Sequence, residues 1–313
     1  MAGSSKKVII AALTGNSLIA VTKFVASFIT GSSAMLSEGI HSVVDTGNQI
    51  LLLYGLNRSK KPADEDFPFG HGKEIYFWSF VVAILVFAVG AGVSVYEGIH
   101  HILEPQPMKN PMVNYVVLAL ALCFEGAAWL FALKEFSKTK GKKGYIDAVK
   151  TGKDPTIFVV LFEDSAALLG LVIAFAGVLL SQTTGLAYFD GIASVLIGLL
   201  LGGTAVWLAY ETKGLLIGER ANRPVIDGIR EIVNSCKEVE HINEVLTMHM
   251  GPEFILVNLS VDFVDSASAA QIENIVAEID GQIKAAFPLV KRIFIEGEAR
   301  HLRNSQTATT TPT

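Results

Sequence analysis

The stretch Ser37-Glu38-Gly39-Ile40-His41-Ser42-Val43-Val44-Asp45-Thr46-Gly47-Asn48 sets an acid, an imidazole, a second acid and an amide at intervals of three, four and three residues. On a helix this spacing puts all four on one face. A second stretch, Leu161-Phe162-Glu163-Asp164-Ser165, holds two adjacent carboxylates inside an apolar run. Such a pair repels when both members are ionised and dry, so one holds a proton or a cation lies between helices. Imidazole nitrogen with carboxylate oxygen suits zinc and its first-row neighbours, and a set without thiolate argues against copper(I). Metal needs neutral imidazole and ionised carboxylate, so protons compete for the same atoms. Two other readings of the same residues are a proton relay and a polar seam that glues helices together.

The elements that carry these residues are predicted to lie in a membrane. Of 313 residues 51% are hydrophobic and only 18% charged, where a soluble chain carries about a quarter charged. The apolar excess fills positions 8–210, while 211–303 reads as an ordinary soluble domain, so two domains are expected. Segments 8–29, 33–56, 76–100, 112–134, 157–181 and 187–210 each approach the roughly 20 apolar residues that a spanning helix needs. An ionisable group at the centre of such a helix costs about 2.5–3.5 kcal/mol, which makes the polar stripe a functional candidate. Twelve Lys or Arg residues fall in the N-terminus and the loops at 57–75 and 135–156, against Lys109 alone in the alternate loops. The positive-inside rule then predicts both termini in the cytoplasm.

The other intramembrane polar groups read as structural. Asn16 and Lys23 on the first span and Glu125 on the fourth are expected to be interhelical partners, with Lys23 paired to an acid or snorkelling to an interface. Asp190 is expected to cap the start of the sixth span. His100 and His101, at the outer end of the third, are expected to be solvated.

The net charge of -5 is modest, and no basic and aromatic cluster points to nucleic acid. The two cysteines, Cys123 and Cys236, lie in different predicted domains and imply neither disulfide nor thiolate site. No HExxH or GxSxG motif suggests an enzyme, no resident cofactor is expected, and no cleavable signal peptide is evident.

After Arg223-Pro224 the pattern predicts a small α+β domain of order αββαβ over 211–300. Val225, Ile229, Ile232 and Val233 mark a helix. Leu246, Met248 and Met250, then Ile255, Val257, Leu259, Val261 and Phe263, alternate about a Gly251-Pro252 turn. A capping box, Ser268 with Gln271, opens a second helix bearing Ile272, Ile275, Val276, Ile279 and Ile283. Residues 290–296 form a last strand. So small a core predicts pairing with a second copy. The Thr-rich end, 301–313, is expected to be disordered.

This combination resembles the cation diffusion facilitators. The resemblance is carried by six spans and by His-x-x-x-Asp on the second. Phe69-Gly70-His71-Gly72-Lys73-Glu74 before the third, Asp190-Gly191-Ile192-Ala193-Ser194 on the sixth and the αββαβ tail, a ferredoxin- or metallochaperone-like unit, add to it. Ser37–Gln49 and Asp154-Pro155-Thr156 through Glu163-Asp164 look closest to the branch containing zinc transporter 9. The resemblance implies an all-α six-helix transmembrane bundle, a homodimer, alternating access, metal/proton antiport and a tetrahedral metal site between spans two and five. His41, Asp45 and Asp164 match the family's ligand positions. Where many members have a further histidine this chain has Val160, so the fourth position falls to Glu163, Asn48, water or nothing. The loss of an imidazole leaves manganese, iron and cobalt open beside zinc.

A secondary metal site in the loop before the third span is implied at Asp64 and His71, with Phe67 where the family has an intervening histidine. The tail positions that bear ligands in some members are Asn243, Asn258, Glu296 and Glu298 here, which reads as a degraded metal-sensing site, with His241 and His249 as ordinary residues. Lys73 and Glu219 match a charged interlock in some members. The sequence thus predicts a membrane transporter that moves Zn2+ or a similar divalent cation out of the cytoplasm in exchange for protons. It sits in a bacterial inner membrane or, alternatively, an organelle membrane. The alternative function is a non-transporting scaffold or regulator with a weakened metal site.

Overall fold

A computed structural model describes residues 2–106, 110–140, 144, 148 and 155–300. The chain divides into two compact units. The first comprises the chain to Lys61 and Glu74–Lys213; the second comprises Pro62–Lys73 and the chain from Gly214.

Six long helices build the first unit among the described residues: α1 (Ala2–Thr30), α2 (Ser33–Arg58), α3 (Glu74–Leu103), α4 (Pro111–Lys140), α5 (Pro155–Thr184) and α6 (Tyr188–Ile217). By length and composition α3 and α6, with Pro111–Lys138 of α4 and Phe158–Thr184 of α5, can cross a membrane. The six predicted spans are therefore matched by four on this measure. In α1 that measure covers only the described stretch Asn16–Thr30, and α2 is interrupted by its own polar stripe. The loop lysines at 109, 142, 143, 150 and 153, and the tail from 301, lie outside the described residues.

Helix α2 is inverted relative to a helix of a soluble protein. Glu38, His41, Ser42, Asp45, Asn48, Gln49 and Leu52 are buried, while Val43, Ile50 and Tyr54 are exposed. A bilayer rewards this arrangement, because only the protein interior offers partners to the polar face. Gly31, at φ +70, turns the chain from α1 into α2. The Ser32 hydroxyl caps α2 by accepting from the Met35 N–H at 3.2 Å.

Asp190 does not cap its own helix, as its position suggested. It reaches across to the start of α2 and accepts from Ser32 Oγ at 2.7 Å, Ser33 N at 2.6 Å and Ser33 Oγ at 3.0 Å. A carboxylate at those free amides satisfies orphan donors and complements the helix dipole. His101 is not solvated either: it is buried, with Nε2 3.8 Å from Asp190 Oδ2. At the other end of α2, Arg58 pairs with Glu74 at 3.0 Å, and Trp78 Nε1 donates to the same carboxylate at 2.9 Å. Between α3 and α6 the backbones nearly touch, since a Cβ on Gly98 would strike the Gly191 carbonyl.

The second unit runs α7 (Arg223–Asn234), β1 (Val239–Gly251), β2 (Phe254–Phe263), α8 (Ala269–Ala286) and β3 (Val290–Gly297). The sheet order is β1-β2-β3, antiparallel then parallel. Ile229, Val233, Val257, Leu259, Ile279 and Ile283 fill its core, and the Ser268–Gln271 capping box opens α8. Leu246 and Met248 do not line this core. Ile242, Val245 and His249 are buried instead, on a strand that carries bulges between Val239 and Gly251. The loop 62–73 joins this unit because Gly72 packs on the backbone of Met250 and Gly251, where a Cβ would collide with the Met250 carbonyl.

Asp190→Ala should strand the Ser32 and Ser33 donors in the interior and cost about 1–3 kcal/mol. Thermal unfolding of the full-length protein in detergent measures this, and an unchanged midpoint would remove Asp190 as the anchor of α2.

Candidate metal centre

The 3.6-residue repeat of α2 puts His41, Asp45 and Asn48 on one face, and all three are buried. His41 Nδ1 lies 3.3 Å from Asp45 Oδ1, without the alignment of a hydrogen bond. The Asp45 carboxyl is in hydrogen-bonding contact with Glu163. Asn48 Nδ2 donates to Glu163 Oε1 from the next turn of α2. Two carboxyl groups placed against each other can share a proton between them.

Asp164 is also buried, but its position differs from that of Glu163. It lies within electrostatic reach of Asp45 and Glu163, while its Oδ2 has no hydrogen-bond partner. Neighbours on a helix point about 100° apart, and the orientation of α5 gives the direct contact to Glu163. Val160, one turn earlier on α5, is fully buried and supplies no donor atom.

Several buried atoms of this group lack a hydrogen-bond partner among the described residues: both His41 nitrogens, Asp45 Oδ1, Asn48 Oδ1, Glu163 Oε2 and Asp164 Oδ2. Leaving such atoms unpaired costs about 1–3 kcal/mol each, more when charged. They converge from two helices, and their chemistry is that of a nitrogen–oxygen cation site. Among the described residues no three His, Cys, Asp or Glu side chains yet stand in ligand geometry.

Glu38 belongs elsewhere. The spacing grouped it with His41, but its Oε2 pairs with Lys23 Nζ at 2.9 Å, and Lys23 also reaches Ser42 at 3.0 Å and Glu125 at 2.7 Å. Lys23 is fully buried, so it pairs with acids and does not snorkel. The sequence offered Lys23 and Glu125 as interhelical partners; it gave no sign that they meet each other and Glu38 at one point.

In the second unit the structure brings Asp64 and His71 together, Nε2 to Oδ2 at 2.8 Å, with Phe67 tilted against the imidazole. The bond from His71, then that from the Phe67 amide, hold the Asp64 carboxyl below the usual carboxylate range. The contact therefore favours the folded loop above the ordinary Asp range, and that contribution fades as pH falls through the depressed value. Lys73 Nζ lies 3.6 Å from Met248 Sδ, and the Glu219 carbonyl accepts from the His249 N–H at 3.0 Å. Asn243, Ser260 and Glu298, near the tail positions of the family's ligands, hydrogen-bond to one another.

Residues 9–217 match the cation efflux transmembrane domain family. The chain is 36% identical over 259 residues to the proton-coupled zinc antiporter SLC30A9, mitochondrial, of Xenopus laevis, covering 82% of this chain and 46% of that protein. It is 34% identical to the human protein of the same name over the same shares of the two chains. It is 29% identical over 299 residues to the manganese efflux system protein MneP of Bacillus subtilis, covering 93% and 95% respectively. The chain thus spans about half the length of its zinc-antiporter relatives.

Asn48→Leu removes the donor that orients Glu163 and should lower divalent-metal affinity by about 10–100-fold, as loss of an outer-shell partner does; isothermal calorimetry on the full chain checks this. His71→Asn should raise the Asp64 titration toward its ordinary value, followed by carboxyl carbon-13 NMR.

Proposed function

The chain belongs to the cation efflux family, whose members are integral membrane transporters and not enzymes, and we propose that it moves Zn2+ or a closely similar divalent cation out of the cytoplasm in exchange for protons. One observation carries the reading. Asp45 and Glu163 meet carboxyl to carboxyl across α2 and α5, with His41 beside Asp45 and the Asn48 amide on Glu163, all of them buried.

The proposed ligands are His41, Asp45, Asp164 and Glu163. As the cation binds, the proton shared by Asp45 and Glu163 leaves, and both oxygens turn from each other to the metal. Neutral imidazole completes the set with a softer donor. Reprotonation from the opposite side restores the carboxyl contact and expels the metal. Exchange follows because one group of atoms cannot hold both occupants. Alternating exposure of this group to the two faces gives net transport. Six spans, both termini on the cytoplasmic side and a homodimer complete the proposal; Asp64–His71 is proposed as a weak secondary metal-contacting pair, and Lys73 with Glu219 as an interlock.

The proposed zinc preference is supported by His41 and by the names of the SLC30A9 relatives, proton-coupled zinc antiporters. Manganese is the second reading. It is favoured by the oxygen-rich set that Val160 leaves and by the name of the Bacillus subtilis relative. Purified protein in liposomes with a pH-sensitive dye inside should show metal-dependent proton movement. Asp45→Ala should lower it by about 100-fold or more, since even outer-shell losses reach that size. Equal flux in the two proteins would reject the site, and competition among Zn2+, Mn2+, Fe2+ and Co2+ ranks the cargo.

A further inference from the structure

A second cluster of ionisable groups lies in the same unit and is not used by the metal centre. Lys23 of α1 stands between Glu38 of α2 and Glu125 of α4, at 2.9 and 2.7 Å, with the Ser42 hydroxyl at 3.0 Å. All four side chains are buried. α5 adds a backbone contact: Gly170 sits so close to Glu38 Oε1 that a Cβ there would collide with it. Four helices therefore close around one ammonium and two carboxyl groups.

The charges do not balance. One ammonium and two carboxylates carry a net charge of −1, in an interior where an uncompensated charge is strongly disfavoured. Each carboxyl offers Lys23 a single oxygen. The other two, Glu38 Oε1 and Glu125 Oε2, are buried and have no hydrogen-bond partner among the described residues. The cluster thus has an acceptor atom to spare and a charge deficit of one.

From this geometry we infer that the Lys23–Glu38–Glu125 cluster is a proton-binding site separate from the metal ligands, and that its proton is exchanged during the transport cycle. The proton adds to the free oxygen of Glu38 or Glu125 and makes the cluster neutral; when it leaves, the net charge returns to −1. The inference rests on the transport reading above.

Position supplies the coupling. Glu38 precedes His41 by three residues, about 4.5 Å along the axis of α2. The charged groups within electrostatic reach of the cluster are those of the metal centre. His41 senses Lys23, and Asp45 on α2 and Asp164 on α5 sense Glu125. The remaining buried acid of α6, Asp190, is engaged at the start of α2. A divalent cation arriving at His41 and Asp45 repels the cluster's proton. Reciprocally, a protonated cluster weakens metal binding by the same factor. The negative cluster is the form that accepts metal, and the neutral cluster is the form that releases it.

The test counts protons per metal ion in liposomes loaded with a pH dye and a metal dye, using the full chain. Glu125→Gln leaves Lys23 and Glu38 as a neutral one-to-one pair and mimics the loaded cluster. It is expected to move metal with one proton fewer per ion than wild type, and a purely structural cluster would not change that ratio. Glu125→Asp keeps the charge count with a shorter side chain and is expected to shift the pH midpoint of transport. An unchanged ratio in Glu125→Gln overturns the inference, as does an unchanged midpoint in Glu125→Asp should the glutamine variant not fold. Wild type that moves no metal overturns the transport reading and this inference with it.

Discussion

Charge buried in a medium of low polarisability must be partnered, protonated or bound to another ion, and the first unit is organised around this requirement. α2 turns its polar face inward, with Val43, Ile50 and Tyr54 exposed and Glu38, His41, Asp45 and Asn48 enclosed. Each enclosed group then dictates what packs against it. Lys23 draws Glu38 and Glu125 into one point. Asp190 takes the free amides and hydroxyls at the start of α2. Glu163 comes to Asp45 and Asn48. Nonspecific apolar contact fills the space between these points, but does not choose them.

The α2–α5 contact also bears on the lost histidine. Val160 is enclosed and apolar, so the proposed ligand set draws on what stands one turn along. A helix cannot aim residues 163 and 164 in one direction. In the present orientation Glu163 meets α2, helped by the amide of Asn48, and Asp164 stays nearby with a free oxygen. The proposed set, carboxylates with one imidazole, is harder than one with paired imidazoles, and this is the physical reason to propose manganese beside zinc.

How much was legible in the sequence varied with the range of the interaction. The polar stripe of α2, the alternation of β2 and the capping box of α8 are local periodicities, and they can be read from spacing alone. The pairing of His41 with Asp45 is likewise a consequence of their i, i+4 relation. The partner of Glu38 could not be read, because Lys23 and Glu125 are distant in sequence and equally compatible with other acids or an interface. Asp190 looked like the cap of its own helix, and only the packing of α6 against the start of α2 reveals otherwise. Leu246 and Met248 alternate as core residues should, yet they lie on the face of β1 opposite the buried Val245 and His249. The stretch 62–73 reads as a membrane loop until Gly72 is seen against Met250.

The distribution of satisfied and unsatisfied groups along α2 has a mechanical consequence. Its first turn is fixed by Ser32 and Asp190, its upper middle by Lys23, and its last turn by Arg58 with Glu74. Between these points lies His41 to Gln49, where the buried polar atoms without partners are concentrated. α3 and α6, joined through glycines at backbone contact, resist sliding along each other. Polar atoms already bonded gain little from a cation, since old bonds must break as new ones form; unbonded ones gain the full interaction. The proposed cation site therefore falls in the stretch of α2 whose rearrangement breaks the fewest existing bonds.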